Sequence, residues 1–264
     1  MKNIKTHKLV IGQNTFIHPT AEIRGVSGFA DSVIIGDNVY IGAYVQIIVN
    51  YIKIGDYCKI QHNTNIHGYE PCIIGHNAWI GQFSIIDSIG STTIGNNCGI
   101  GAHSQLWSHI KYGDTLEGCR FLNSKPLIIG NDVWFVGHCI VSPIIAEDKS
   151  MAMVGSVITS NMEYNQIYAG SPAKSISEKV GFQFEEVTIE EKLQKMTDYL
   201  KQFQSFYRGG DLIRIVENEI DINFNDELSY FSVANRRYKK AGSDEEIQFM
   251  KFLLPDKAKF IPYE

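Results

Sequence analysis

Ile74-Gly75-His76-Asn77-Ala78-Trp79, followed at once by Ile80-Gly81-Gln82-Phe83-Ser84-Ile85, is the stretch that decides the fold of this chain. Each hexapeptide opens on an Ile-Gly pair and sets a small residue, Ala78 or Ser84, four positions after the Ile. Outward from this stretch the pair returns at Ile35-Gly36, Ile41-Gly42, Ile54-Gly55, Ile94-Gly95, Ile100-Gly101 and Ile129-Gly130. The small or β-branched slot is filled by Val39, Val45, Cys58, Thr64, Cys98, Ser104 and Val133. A helix would need apolar residues every 3.6 positions, whereas a period of six with an apolar residue two before each Ile fits short strands whose alternate side chains point inward. The starts at Ile54, Ile74 and Ile94 are 20 residues apart, three hexapeptides plus two residues, so one coil is a triangle of three short strands. Self-similarity at a fixed period marks a solenoid, in which each turn buries its apolar face on the next. Gly in each second position suits a corner with positive φ or a close passage of backbones. The fold class is an all-β solenoid.

The breaks in the rhythm organise the chain. Residues 1 to about 34 read as an imperfect first coil, with Ile11-Gly12, Ile17 and Ile23 in step. The period leads from Ile100 to Leu106 and then vanishes until Ile129. A loop at about 107–127, holding Trp107, His109, Tyr112, Asp114, Glu117 and Arg120, is extruded there. Phe135, Val141, Ala146 and Ala152 keep the spacing afterwards, and the coil closes on Tyr168-Ala169-Gly170-Ser171-Pro172-Ala173-Lys174. This sets a coiled domain at 1–180 and a C-terminal appendage at 181–264. In the appendage, Thr188 and Glu191 form a capping-box pair before an amphipathic helix from Ile189 to Phe206. Leu212–Phe224 and Leu228–Val233 read as strands, Ser243 and Glu246 cap a short helix through Leu254, and Lys259–Pro262 is a last strand. The tail is a small α+β unit, and its basic run Arg236–Lys240 reads as a solvated turn.

Composition narrows the function classes. With 44% hydrophobic residues, a formal net charge of −5 and no apolar run near the roughly 20 residues that a membrane span needs, the 264-residue chain reads as soluble, with no transmembrane segment. Mild acidity argues against nucleic acid as a partner. Cys58, Cys72, Cys98, Cys119 and Cys139 show no CxxC spacing and read as free thiols of a reducing compartment. No basic-then-apolar leader follows Met1, so a cytoplasmic location is expected.

Taken together, the Ile-Gly hexapeptides, the looped-out His segment, the run Ile129-Gly130-Asn131-Asp132-Val133-Trp134 and the closing Ala169–Lys174 resemble the left-handed β-helix acyltransferases, most of all the galactoside, maltose, xenobiotic and polysaccharide O-acetyltransferases. The resemblance covers about residues 11–178. It implies a left-handed parallel β-helix, a homotrimer, and acetyl-CoA as cosubstrate lying in a groove between neighbouring subunits. It further implies acetyl transfer to a hydroxyl of a saccharide, nucleotide sugar or polysaccharide precursor, with a His of the loop segment as general base.

That base is matched to His109, where the chain leaves the coil, with His103 as runner-up. A sugar hydroxyl is a poor nucleophile, so a base of near-neutral pKa that takes its proton during attack on a thioester suits the chemistry. Asp87, one coil earlier, is the candidate to orient the imidazole, ahead of Asp114 and Glu117. Asn65 and Gln82 are nominated for acceptor hydroxyls. Gly137, Gly155 and Ser156 are nominated for the pantetheine arm, Lys174 for a CoA phosphate, and Trp134 for packing on the cofactor. Phe135-Val136 replaces an Ile-Gly pair in this region, a departure from the family pattern. N-acetylation of a nucleotide-linked amino sugar is the nearest alternative. The segment Ile66–Gly75 also resembles the γ-class carbonic anhydrases, which hold zinc on three His; His67 matches the first, but Gln82 and Asp87 stand in the other two places, so no metal site is expected. A non-catalytic scaffold is the third class.

Overall fold

The computed structural model describes residues 3–207 and 209–263, which divide into two compact units, Met1–Phe184 and Glu185–Glu264. The first is a left-handed parallel β-helix whose short strands stack into three walls. Wall I holds Glu22–Arg24, Gln46–Val49, Asn65–Gly68, Ile85–Asp87, Gln105–Leu106, Ile140–Val141 and Val157–Ile158. Wall II holds Ala30–Ile35, Tyr51–Ile54, Cys72–Ile74, Thr92–Ile94, Leu127–Ile129 and Ile145–Ala146. Wall III holds Phe16–Ile17, Tyr40–Ile41, Lys59–Ile60, Trp79–Ile80, Gly99–Ile100, Trp134–Phe135, Met151–Ala152 and Ile167–Gly170, and ends on an antiparallel strand, Ala173–Ser175. The first strand, Ile4–Ile11, pairs with wall I at Ile4↔Ile23 and with wall II at Leu9↔Val33.

Stacking in register turns the sequence repeat into continuous columns. Ile35, Ile54, Ile74, Ile94 and Ile129 are Cα partners down wall II, as are Ile41, Ile60, Ile80 and Ile100 down wall III and Ile47, Ile66 and Ile86 down wall I. All are sealed from solvent, and each such side chain stabilises the prism by about 1.5–3 kcal/mol. The departure at Phe135 is absorbed within the column, where Ala152 lies beneath it, so one large residue is offset by one small. Burial pushes the Cys58 and Cys72 thiols up to about 12, which leaves them as inert core residues.

The glycines serve close approach. A Cβ on Gly55 would lie 2.6 Å from the backbone nitrogen of His76, and one on Gly75 would lie 2.7 Å from the carbonyl carbon of Gly95. The positive φ that a tight corner requires falls two residues later, on Asn38, Asn77, Asn97 and Asp132 in one column and on Asn63, Phe83, His103 and His138 in another.

The coiled unit continues to Phe184, past the 180/181 boundary expected from sequence. Short helix α1 (Ser177–Val180) follows the last strand, and Asn165 then binds Phe184 twice, donating from Nδ2 to its carbonyl and accepting its N–H, both at 2.9 Å. The second unit packs helices α2 (Ile189–Tyr207) and α3 (Asp244–Leu253) with a four-stranded mixed sheet of Ile213–Val216, Ser229–Ser232, Arg237–Lys239 and Ile261–Pro262. Thr188 and Glu191 exchange the two hydrogen bonds of a capping box at 3.0 and 3.2 Å. At α3, Ser243 accepts from the Glu246 N–H, but the Glu246 carboxylate turns inward to Ser229 and the N–H groups of Ala241 and Gly242. The strand expected over Leu212–Phe224 stops at Val216, because Asn218 and Asp221 cap a 3₁₀ turn at Glu219–Asp221. The basic run is no solvated turn throughout: Lys239 is buried on Asp226, and Arg237 lies over the Tyr263 ring, 5.8 Å from its centre.

Candidate functional site

A cluster of polar side chains lies at the edge between walls I and II, where the loop leaves. Asp87 ends the strand Ile85–Asp87, one coil below His67, its direct Cα partner. Its carboxylate is fully buried. Oδ2 accepts the Ser108 N–H at 3.0 Å and the Ser108 hydroxyl at 2.5 Å, and it lies 2.8 Å from His109 Nδ1. Ser108 Oγ in turn accepts the Gly90 N–H at 2.9 Å, and the Asp87 carbonyl accepts the Thr92 hydroxyl at 2.6 Å. Every partner of Asp87 Oδ2 thus comes from the two residues at which the chain turns out of the prism.

His109 begins a short antiparallel hairpin, His109–Lys111 with Leu122–Ser124, so the expected loop carries structure of its own. Its imidazole is about one-fifth exposed and meets the Trp107 ring edge-on, with centroids 6.1 Å apart. With Nδ1 2.8 Å from a carboxylate oxygen, the neutral tautomer that fits this contact carries its hydrogen on Nδ1. His103 stands elsewhere, in a left-handed corner conformation, its ring stacked between Phe83 at 5.1 Å and His138 at 4.8 Å.

His67 joins the cluster, although reading the sequence matched it only to a zinc ligand. Its Nε2 is 3.5 Å from Asp87 Oδ1, and its Nδ1 is 2.8 Å from Asn65 Oδ1. The signal was present in the numbering, since residues 67 and 87 are one coil length apart. Ser108, missed as well, could have been found only by locating the exit point of the loop. Among the described residues no group of three or more His, Cys, Asp or Glu side chains is arranged to hold a metal ion.

The other nominated residues are spread over the prism. Asn65 is beside the cluster, but its amide is engaged, donating to Gln46 Oε1 at 3.0 Å and facing His67. Gln82 sits at the opposite end of the Ile85–Asp87 strand, at the corner between walls III and I, with its carbonyl accepting the His103 N–H. That same corner carries Gly137 and Gly155, both with positive φ, joined by a Gly155 N–H bond to the Gly137 carbonyl. A Cβ on Gly155 would meet nothing within 4 Å, so the surface there is open. Ser156 departs from its nomination: its hydroxyl is buried and donates to the Met153 carbonyl at 2.7 Å, so it offers no free donor. Trp134 is half-exposed on the outside of wall III, its ring over Gly99, and Lys174 is exposed on the closing antiparallel strand. Gly137 and Gly155 therefore stand at the edge of wall I opposite His109, with Trp134 and Lys174 on wall III.

No helix of the described residues is long and apolar enough to cross a membrane. No family model matches the chain. Galactoside O-acetyltransferase of Escherichia coli K12 is 29% identical over 122 residues, 45% of this chain and 56% of that protein. The mitochondrial gamma carbonic anhydrase 2 of Arabidopsis thaliana is 22% identical over 176 residues, 66% of this chain and 51% of that protein. The chain spans about half the length of these curated relatives. Among solved structures, the polySia-specific acetyltransferase NeuO superposes with a TM-score of 0.53 at 20% identity, over 76% of this chain and 100% of that one, which is a likeness of fold. In its repeat this chain is similar to the galactoside O-acetyltransferase, and in its left-handed β-helix to the polySia-specific acetyltransferase.

Proposed function

We propose that this protein is an acetyltransferase that moves the acetyl group of acetyl-CoA to a hydroxyl of a saccharide, nucleotide sugar or polysaccharide precursor, with His109 as general base and Asp87 as the residue that positions it. The observation that carries this reading is the 2.8 Å contact between His109 Nδ1 and a fully buried carboxylate, which leaves Nε2 as the free acceptor beside the exit of the loop. The name of the galactoside O-acetyltransferase relative supports the reaction class.

The acceptor oxygen attacks the thioester carbonyl carbon while His109 Nε2 takes its proton. The imidazolium so formed is stabilised by the Asp87 carboxylate. When the tetrahedral intermediate collapses, the C–S bond breaks, and the proton passes from His109 to the departing sulfur, which leaves as free thiol. A positioned base of this kind contributes roughly a hundredfold to ten-thousandfold to the rate.

One chain holds the base at one edge of wall I and the open Gly137–Gly155 corner with Lys174 beyond the other, so a complete site requires a second copy. A homotrimer, with the corner of one subunit against the loop edge of the next, satisfies that need, and a cytoplasmic location belongs to the same reading. Thiol release from acetyl-CoA, screened over sugars, nucleotide sugars and amino sugars, is the deciding experiment. Release dependent on a sugar hydroxyl supports the proposal. Release with amino sugars alone moves it to N-acetylation, and no binding of acetyl-CoA rejects it. A monomer by light scattering at micromolar concentration contradicts the shared site.

A further inference from the structure

The corner between walls III and I carries a column of rings that is finished at one end and not at the other. In successive coils Tyr44, Asn63, Phe83, His103, His138 and Gly155 take the same place, each with φ between 51° and 72°. From Asn63 onward, each N–H donates to the carbonyl of the residue just before the column's previous member, at 2.9–3.2 Å. Phe83 and His103 stack at 5.1 Å with planes 10° apart, and His103 and His138 at 4.8 Å with planes 13° apart. Neighbouring strands are spaced by about 4.7–4.9 Å, so the rings advance one coil at a time with their faces turned along the axis. At the N-terminal end His62 closes the stack, edge-on to Phe83 at 5.5 Å and 82°. At the C-terminal end the column stops on Gly155.

Nothing in the backbone requires that glycine. Five other residues hold the same left-handed turn with a side chain, and a Cβ on Gly155 would meet no atom within 4 Å. Its effect is to leave the far face of the exposed His138 ring uncovered, at the height where the next ring of the series would stand. Val154 precedes it at the surface, and outward-facing Ile140 and Val157 pair on the adjoining edge of wall I. The rim is therefore apolar, and the neighbouring hydroxyl, Ser156, is spent on the Met153 carbonyl. A flat aromatic ring suits such a place better than the hydroxyl-rich face of a sugar. Lys174, exposed on the closing strand, stands two strands further along wall III, about 10 Å on, so an anionic group joined to that ring has a cation in reach.

We propose that this corner is a nucleobase site, in which the base of a nucleotide stacks on the far face of His138, over Gly155, as the next member of the column. His138 is the residue that touches the ligand, and His103 and Phe83 back its ring. The same chemistry has two sources, the adenine of coenzyme A and the base of a nucleotide-sugar acceptor. That the nucleotide is one of these rests on the acetyltransferase reading; the stack itself does not. Where the base is adenine, the corner takes that end of the cofactor and not its pantetheine arm. Stacking grips ground state and transition state alike, so it enters KM and not kcat.

Isothermal titration calorimetry with coenzyme A, ADP and UDP, and with two ligands that lack a base, 4′-phosphopantetheine and glucose 1-phosphate, tests the site. His138→Ala should weaken the base-bearing ligand about tenfold and leave its base-free counterpart unchanged. Gly155→His uses the residue type that already holds this turn at 103 and 138; it supplies the next ring from the chain itself and should block the base at least as strongly. Thermal melts check that each variant is folded, and His138→Ala carries the test alone if the other is not. A loss seen with coenzyme A and ADP assigns adenine, a loss with UDP assigns the acceptor's base, and a loss with all three makes the stack indifferent to the base. No binding of any base-bearing ligand to the unmodified protein overturns the proposal, as do unchanged affinities in the folded variants or an equal loss for the base-free ligands in His138→Ala. A change of oligomeric state in the variants with nucleotide binding intact also overturns it, because a ring of a second copy then covers His138. Nucleotide binding that depends on His138 without thiol release from acetyl-CoA keeps the site and rejects the acetyltransferase reading; thiol release with binding indifferent to both substitutions does the reverse.

Discussion

Two edges of the same prism use the same chemistry to opposite ends. At the edge between walls II and III, the residue after each Ile-Gly pair turns its side chain to the backbone N–H of the coil before it. Asp56 Oδ1 takes the N–H of Asp37, His76 Nδ1 that of Asp56, Asn96 Oδ1 that of His76 and Asn131 Oδ1 that of Asn96, all at 2.8–2.9 Å. At the edge between walls I and II, Asp87 likewise accepts the N–H of Ser108 from the next coil. The first edge spends its acceptors on holding coils together. The second keeps capacity in reserve, an imidazole on one carboxylate oxygen and no hydrogen-bond donor on the other. A carboxylate or histidine in a repeat is structural where the neighbouring backbone uses it and chemical where something is left over.

The sharpest break of that contrast is in activity. His109→Ala should lower kcat by at least about a hundredfold with the fold and acetyl-CoA affinity kept, whereas His103→Ala, at a stacked corner, should leave kcat within about twofold. Steady-state thiol release on the two variants decides it. Equal losses would mean that the Asp87 contact does not single out the base.

How much of this was readable follows from the same division. The columns were legible because a six-residue period puts every Ile in one environment, coil after coil. His109 could be nominated because it stands where the period fails, and Asp87 because it lies one coil before that exit. His67 escaped because its partner is one coil away in space, and the 20-residue interval that joins them is also the interval of every ordinary contact in the prism. Ser156 misled for the converse reason: its slot is the inward one, and Ser in that slot satisfies itself on a corner carbonyl. In the tail, with no repeat to calibrate, the capping box at Thr188 was readable locally, but the turn at Asn218 that cuts a strand short was not.

Smaller effects test the structural edge. Gly55→Ala would drive a Cβ against the backbone of the next coil, which has no side chain to move aside, so a loss of about 1–3 kcal/mol is expected. His76→Ala leaves the Asp56 N–H without its acceptor and should cost about 1 kcal/mol, while His76→Asn, the residue type of the two positions that follow in the column, should cost far less. Thermal melts followed by the fluorescence of Trp79, Trp107 and Trp134 read this unit alone, since the tail has no Trp. Equal losses for the two His76 variants would show that the ring, and not its acceptor nitrogen, holds the joint.

The smallest expected effect lies in the tail, where Asp226 behaves like the structural edge. The Lys239 ammonium, 2.8 Å away, and then the Tyr230 hydroxyl hold its carboxyl down at about 2, below its ordinary 3.8. A pKa depressed by folding stabilises the folded form above the ordinary value, and that contribution is lost as pH falls through the folded one. The tail should therefore weaken between about pH 4 and pH 2. Helices α2 and α3 dominate the far-UV circular dichroism of the molecule, so the helical signal in an acid titration follows this unit. Asp226→Asn removes the ionisation while keeping an oxygen for Lys239, and it should lower stability at neutral pH and flatten the slope across that window. An unchanged slope in the variant would assign the acid sensitivity to the exposed α2 carboxylates Glu190, lowered by its own backbone N–H and then by Thr188, and Asp198, lowered by Gln194 and then by Lys201.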